Sequence, residues 1–189
     1  MTRGMIIALV LSVILAVGAP LLNALRITEQ YKSYPSFRVN IEPYDPRDLF
    51  YGHYLMFRTA WNWKGAPPPD ERRSRVGVYQ KDSCLCVADG NENPLVYKVT
   101  CPPPETGVPE CRHILKGESY GEWSFETGVN RYYLDEAAAL PLERQFRDGK
   151  KKFTLDLYVT PRGKTLPGKL YIEDIPLEEY IKRNGGTVP

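Results

Sequence analysis

FTLDLYVTPRGKTLPGKLYI, residues Phe153 to Ile172, sets large apolar side chains against polar ones on either side of a Pro-Arg-Gly-Lys break. Phe153, Leu155, Leu157 and Val159 fall on one face of a period-two strand, and Thr165 to Ile172 answers it across Pro161 to Lys164. The pair predicts an antiparallel hairpin with one buried face. Upstream, alanines with Leu140, Leu142 and Phe146 predict a helix over Glu136 to Arg147, with Asp135 as N-cap and Gly149 as its stop. Pro141 sits about two turns in and removes a hydrogen bond, so the helix is expected to be short, with a break at Pro141 left open. Downstream, Asp174 is expected to cap a last helix over Pro176 to Arg183, ended by Asn184, Gly185 and Gly186.

Moving toward the amino terminus, Phe37, Val39 and Ile41 alternate with Arg38, Asn40 and Glu42, which predicts a half-buried strand over Ser36 to Glu42. A turn at Pro43 to Asp48 and a strand at Tyr54 to Trp61 follow. Gly65 to Arg73 holds three consecutive prolines and reads as an exposed loop, because proline lacks the ladder donor. Strands are expected at Arg75 to Lys81 and Leu85 to Ala88, joined by a Lys-Asp-Ser turn, and at Leu95 to Cys101 after the turn-rich Asp89 to Pro94. Pro102 to Pro109 is a second proline-rich loop, and the aromatic segments Tyr120 to Phe125 and Gly128 to Leu134 read as strands. No repeat is visible.

Met5 to Leu25, MIIALVLSVILAVGAPLLNAL, is an uncharged run of 21 residues. As a helix it spans about 31 Å, enough for a hydrocarbon core of about 30 Å. Pro20 is tolerated in a spanning helix when neighbours satisfy the freed carbonyl, and a kink is expected there. A cleaved secretory signal is the competing reading. A cut after Ala19 would place Pro20 immediately after the bond, a poor context, and a cut after Gly18 is less objectionable; the uncleaved anchor is favoured. The expected architecture is mainly β with minor α: an N-terminal transmembrane helix with its flanks (1–30), then one antiparallel β-rich exported domain (31–189) with one or two short helices. Tyr31 to Pro35 would be a spacer.

Arg3 on one side of the run opposes Arg26 and Lys32 on the other, so charge bias hardly orients the anchor. Cys84, Cys86, Cys101 and Cys111, an even number closely spaced, read as a disulfide framework and favour an exported domain. Cys84 and Cys86 share one side of a strand, so each is expected to pair with Cys101 or Cys111, in either of two connectivities. Both would staple the Pro102 to Pro109 loop. The alternative is a metal site using the four cysteines near His113, although the spacing lacks the paired CxxC knuckles of zinc ribbons.

With 25 basic and 23 acidic residues, a formal charge of +2 excludes the electrostatic footprint of a nucleic-acid binder. The chain has two histidines, no nucleophile elbow, no HExxH, no P-loop and no dinucleotide fingerprint, and no cofactor is expected. Asp45, Asp48 and His53 could form an acid-base group, but a turn carboxylate satisfying backbone donors plus a strand histidine is the stronger account of them. Trp61, Trp63, Tyr120, Trp123, Tyr132 and Tyr133 could line a ligand groove, with core packing the simpler account.

At IEPYDPRDLFYGHYLMF, Ile41 to Phe57, the chain resembles a family of membrane-anchored bacterial proteins defined by a GDYxxLxY motif. It keeps Asp45, Pro46, Arg47, Asp48, Leu49, Gly52 and Tyr54 and departs at His53, Phe57 and Thr59, where the family has Asp, Leu and Tyr. RYYLDEAAALPLE, Arg131 to Glu143, is similar to the family's aromatic pair (Tyr132, Tyr133) followed by two spaced glutamates (Glu136, Glu143), and GKLYIEDIPLEEY is similar to its closing strands. The resemblance covers most of the exported domain apart from the cysteine region. It implies a single-pass envelope protein without assigned activity, in the bacterial inner membrane, acting as an accessory subunit beside a multi-spanning membrane protein. The loss of Asp at His53 argues against catalysis there.

Asp45 and Pro46 are suited to a tight turn, and the Arg47 fork could reach Asp48, Glu136 or Glu143. The two motif regions are expected to pack together. The functional expectation is a non-enzymatic, membrane-anchored domain whose partners are the lipid bilayer and an integral membrane protein. The alternatives are an envelope hydrolase using Asp45, Asp48 and His53, and a metal-binding protein using the four cysteines.

Overall fold

The computed structural model describes residues 3–43, 54–65, 78–88, 90–102 and 110–184. The chain divides between Tyr34 and Pro35 into two units.

In the first unit, helix α1 (Arg3–Lys32) contains the apolar run and continues through Pro20. It extends into the expected spacer as far as Lys32, where Lys32 Nζ pairs with Glu29 Oε1 at 3.0 Å. Pro35 then enforces an extended chain, because the residue before a proline is driven out of helical geometry. Side chains at positions 3–11, 13, 15 and 28 lie outside the description. Among the described residues, no helix is long and apolar enough to cross a membrane.

The second unit is mainly β. Its strands are β1 (Ser36–Pro43), β2 (Tyr54–Ala60), β3 (Asn62–Trp63), β4 (Tyr79–Val87), β5 (Leu95–Val99), β6 (His113–Tyr120), β7 (Arg131–Tyr133), β8 (Phe153–Val159), β9 (Thr165–Ile172) and β10 (Ile175–Pro176). Among the described residues, two helices join them, α2 (Glu136–Arg147) and α3 (Leu177–Arg183). A six-stranded antiparallel sheet runs β10-β9-β8-β1-β2-β7, and a four-stranded sheet runs β3-β5-β4-β6. β3 and β5 are the one parallel pair in these sheets.

The β8–β9 hairpin forms as expected, and β8 pairs with β1 through Phe37↔Leu157 and Val39↔Leu155. Phe37, Val39 and Ile41 are buried. They join one hydrophobic core fed by both sheets and by Leu142 and Phe146 of α2. The sheets are also tied through backbone: Arg38 N–H donates to Asn91 O and Asn93 N–H to Arg38 O, each at 2.7 Å, and Lys116 N–H donates to Gly163 O at 2.8 Å.

Several expectations need correction. Lys81 to Ser83 is no turn: β4 is continuous, and its pairing with β6 shifts register between Gln80 and Ser83. β6 was not anticipated at all, whereas of Tyr120 to Phe125 only Tyr120 is in a strand, as the last residue of β6. Gly128 to Leu134 contributes just the three residues of β7. α2 is not broken at Pro141, because Leu142 and Phe146 are buried in the core and hold the following turn. Asp135 occupies the N-cap position without a side-chain cap, its backbone oxygen accepting from Ala138 and Ala139 at 3.0 Å. Asp174 lies in a turn rather than capping α3, whose N-cap is Pro176, because Ile175 and Pro176 pair with β9 first.

Candidate functional site

A cleft of about 430 Å³ opens where β2 parts from the chain that leads into β7. Pairing between these strands begins at Tyr54↔Tyr133 and runs through Leu55↔Tyr132 and Met56↔Arg131, and Phe57 N–H donates to Asn130 O at 3.1 Å. The next hydrogen-bonding partner in this register would be Gly128, opposite Thr59, but Gly128 has φ +82 and Thr127 Oγ1 accepts from Val129 N–H at 3.3 Å. This turn peels the chain away from β2. A left-handed φ is adopted by glycine without a Cβ penalty.

Aromatic side chains make the floor. Trp61 and Phe125 meet edge to face at 6.1 Å, and Trp63 and Trp123 do so at 5.9 Å. Trp61 Nε1–H donates to Phe125 O at 2.8 Å. Trp123 Nε1–H is buried with no hydrogen-bond partner among the described residues. Glu42 and Arg58 line the cleft as an ion pair at 3.0 Å, both about half exposed, and Glu126 adds a second carboxylate. Of the six aromatics read as core residues with a groove as the alternative, Trp61 and Trp63 are in the core and Trp123 packs against it, and these three also line the cleft. Tyr120 instead packs against the Tyr79 ring, tilted, at 5.1 Å.

The motif residues separate into two sets. Asp45, Pro46, Arg47, Asp48, Gly52 and His53 lie outside the described residues, and with them the acid-base group and the Arg47 fork. Tyr54 heads β2, its ring 6.1 Å from Tyr133 and 5.0 Å beneath the Arg131 guanidinium. Tyr132, beside them, is packed against the core, and burial pushes its phenol pKa up. Glu143 forms a 2.6 Å ion pair with Arg147 one helical turn away. Glu136 is the first residue of α2, and its side chain is outside the description. Thus β2 and β7 bring Tyr54 together with Arg131, Tyr132 and Tyr133.

The cysteines pair as Cys84–Cys101 and Cys86–Cys111, with Cα separations of 5.2 and 5.5 Å. All four sulfurs are thereby consumed, so the metal reading has no thiolate ligands, and His113 stacks on Phe37 at 6.2 Å instead. Among the described residues, no cluster of His, Cys, Asp and Glu could hold a metal ion.

One polar cluster was not anticipated. Arg38 Nε donates to Asp156 Oδ1 at 2.9 Å, Tyr171 O–H donates to Asp156 Oδ2 at 2.9 Å, and the Arg38 guanidinium lies 3.5 Å above the Tyr171 ring. Burial, followed by the hydrogen bond to Asp156, raises the Tyr171 pKa. Each group is satisfied by its neighbour, which makes this a brace across β1, β8 and β9. Its only sequence signal is the placement of polar residues within three strands.

A family model described as "GDYXXLXY protein" matches residues 18–170, from within α1 through most of β9. No curated protein and no solved structure matches the chain.

Proposed function

Because the chain belongs to the GDYXXLXY family, we propose that it is a single-pass envelope protein whose α1 spans the bacterial inner membrane, holding a non-enzymatic, partner-binding domain on the extracytoplasmic side. The observation that carries this reading is the apolar surface of α1. Ile14, Val17, Leu21, Leu22 and Leu25 are each 56–63% exposed within a run that has no charge from Met5 to Leu25. Exposed apolar side chains at this density require an apolar surrounding, and the run has the length a bilayer core needs. Two disulfides in the following unit favour an oxidising compartment. The partner class is an integral membrane protein, since a tether confines the domain to membrane neighbours.

Fractionation tests the tether. The chain should stay with membranes through alkaline carbonate washing and be released by detergent, with an export-dependent reporter active when fused after Pro189. Release by carbonate, or a reporter active only in the cytoplasm, would overturn it. Purification in mild detergent should recover an integral membrane protein with the chain, and consistent recovery of the chain alone would remove the partner.

A further inference from the structure

The cleft beside β2 has the geometry of an unfinished strand pair. Backbone groups along an antiparallel strand point alternately to one neighbour and the other. Phe57 directs its N–H to Asn130, so Arg58 and Ala60 face β1, and Thr59 turns its N–H and C=O toward the cleft. No hydrogen bond to either group of Thr59 is present among the described residues, because the Thr127–Val129 turn has taken the natural partner away.

We infer that this cleft receives an extended peptide segment of a partner protein, added as a strand beside β2 at Thr59, with apolar side chains over the tryptophan floor and basic side chains toward the rim. Strand addition draws affinity from main-chain hydrogen bonds and specificity from pockets for alternate side chains. The floor supplies the apolar pockets through Trp61, Trp63 and Trp123. The rim sets the charge: Arg58 is paired with Glu42, and Glu126 leaves one carboxylate in excess. A segment alternating apolar residues with lysine or arginine complements both. This deepens the partner-binding reading by naming what the domain holds, and it stands whether or not α1 crosses a bilayer.

All three tryptophans of the chain line the cleft, so tryptophan emission reports its occupancy. The probe is the alternating peptide acetyl-Lys-Val-Lys-Val-Lys-Val-amide, titrated into the full-length protein in mild detergent. A saturable change in emission is expected. The same peptide N-methylated at alternate residues should bind at least about tenfold more weakly, as expected from losing hydrogen bonds of ordinary strength. Thr59→Pro, which removes the donor facing the cleft and leaves the β1 side of the ladder intact, should weaken binding similarly. Glu126→Gln should weaken binding and flatten its salt dependence. No saturable change, or binding indifferent to N-methylation, overturns the inference; the N-methylated peptide keeps the test valid even if Thr59→Pro fails to fold. Failure here leaves the fractionation result standing, and failure of fractionation leaves this titration standing.

Discussion

Trp61 and Trp123 stand in the same cleft with opposite hydrogen-bond histories. Trp61 gives its N–H to Phe125 O, whereas the Trp123 N–H is buried without a partner. Trp61→Phe strands a buried carbonyl, and Trp123→Phe deletes a donor that was already unsatisfied. The first substitution should therefore cost about 1–3 kcal/mol more than the second in urea unfolding. Equal losses would show that packing, not the hydrogen bond, sets the value of Trp61. Tyr132 offers a pH test. Its folded pKa is raised by burial, so its contribution is full below the ordinary tyrosine value of about 10 and is lost as pH climbs through the folded value, because the unfolded chain releases its proton first. Stability should fall on that alkaline side, and Tyr132→Phe should reduce the slope. Tyr171, also shifted upward, will keep part of it.

At the scale of elements, β6 shows what a sequence conceals. HILKGESY buries Leu115 and Ser119 but carries a glycine between them. A Cβ at Gly117 would lie 2.1 Å from Glu126 O and 2.8 Å from the Phe125 ring, so the glycine admits another stretch of backbone. Gly117→Ala should destabilise by about 1–3 kcal/mol, the usual penalty of overpacking, and should disturb the cleft wall at Phe125. An unchanged unfolding midpoint and unchanged tryptophan emission would contradict this. Local patterns did reveal the β8–β9 hairpin, β1 and the bounds of α2, because each has one face against the core and a period that shows it. The strand expected at Tyr120 to Phe125 failed because its aromatics mark burial without period: Phe125 is buried while the chain runs irregularly toward Glu126. The cleft was half legible. Its tryptophans stand out by type, but Tyr120, Tyr132 and Tyr133 look the same in sequence and go elsewhere. The turn that opens it depends on where β2 ends, a long-range fact.

Over the whole molecule, the disulfides close sequence separations of 17 and 25 residues. Loop-closure entropy gives each about 3 kcal/mol. Replacing Cys86 and Cys111 together by alanine should lower stability by about that amount in denaturant titration. A loss near zero would mean that the unfolded chain is already constrained in this region.

Both bridges start from β4, and they fasten the two ends of the stretch from Cys101 to Cys111. The covalent graph of this domain is therefore a circuit, and a backbone nick between residues 102 and 110 cannot divide it, because Cys86–Cys111 bridges the gap. A protease recognition sequence grafted there should yield a cut protein that migrates as one species on a non-reducing gel and as two after thiol treatment. Two species without reductant would mean that no disulfide spans the cut. The same circuit makes this stretch an exchangeable cassette, in which residues can be swapped for a tag or epitope while its ends stay sewn to the sheet.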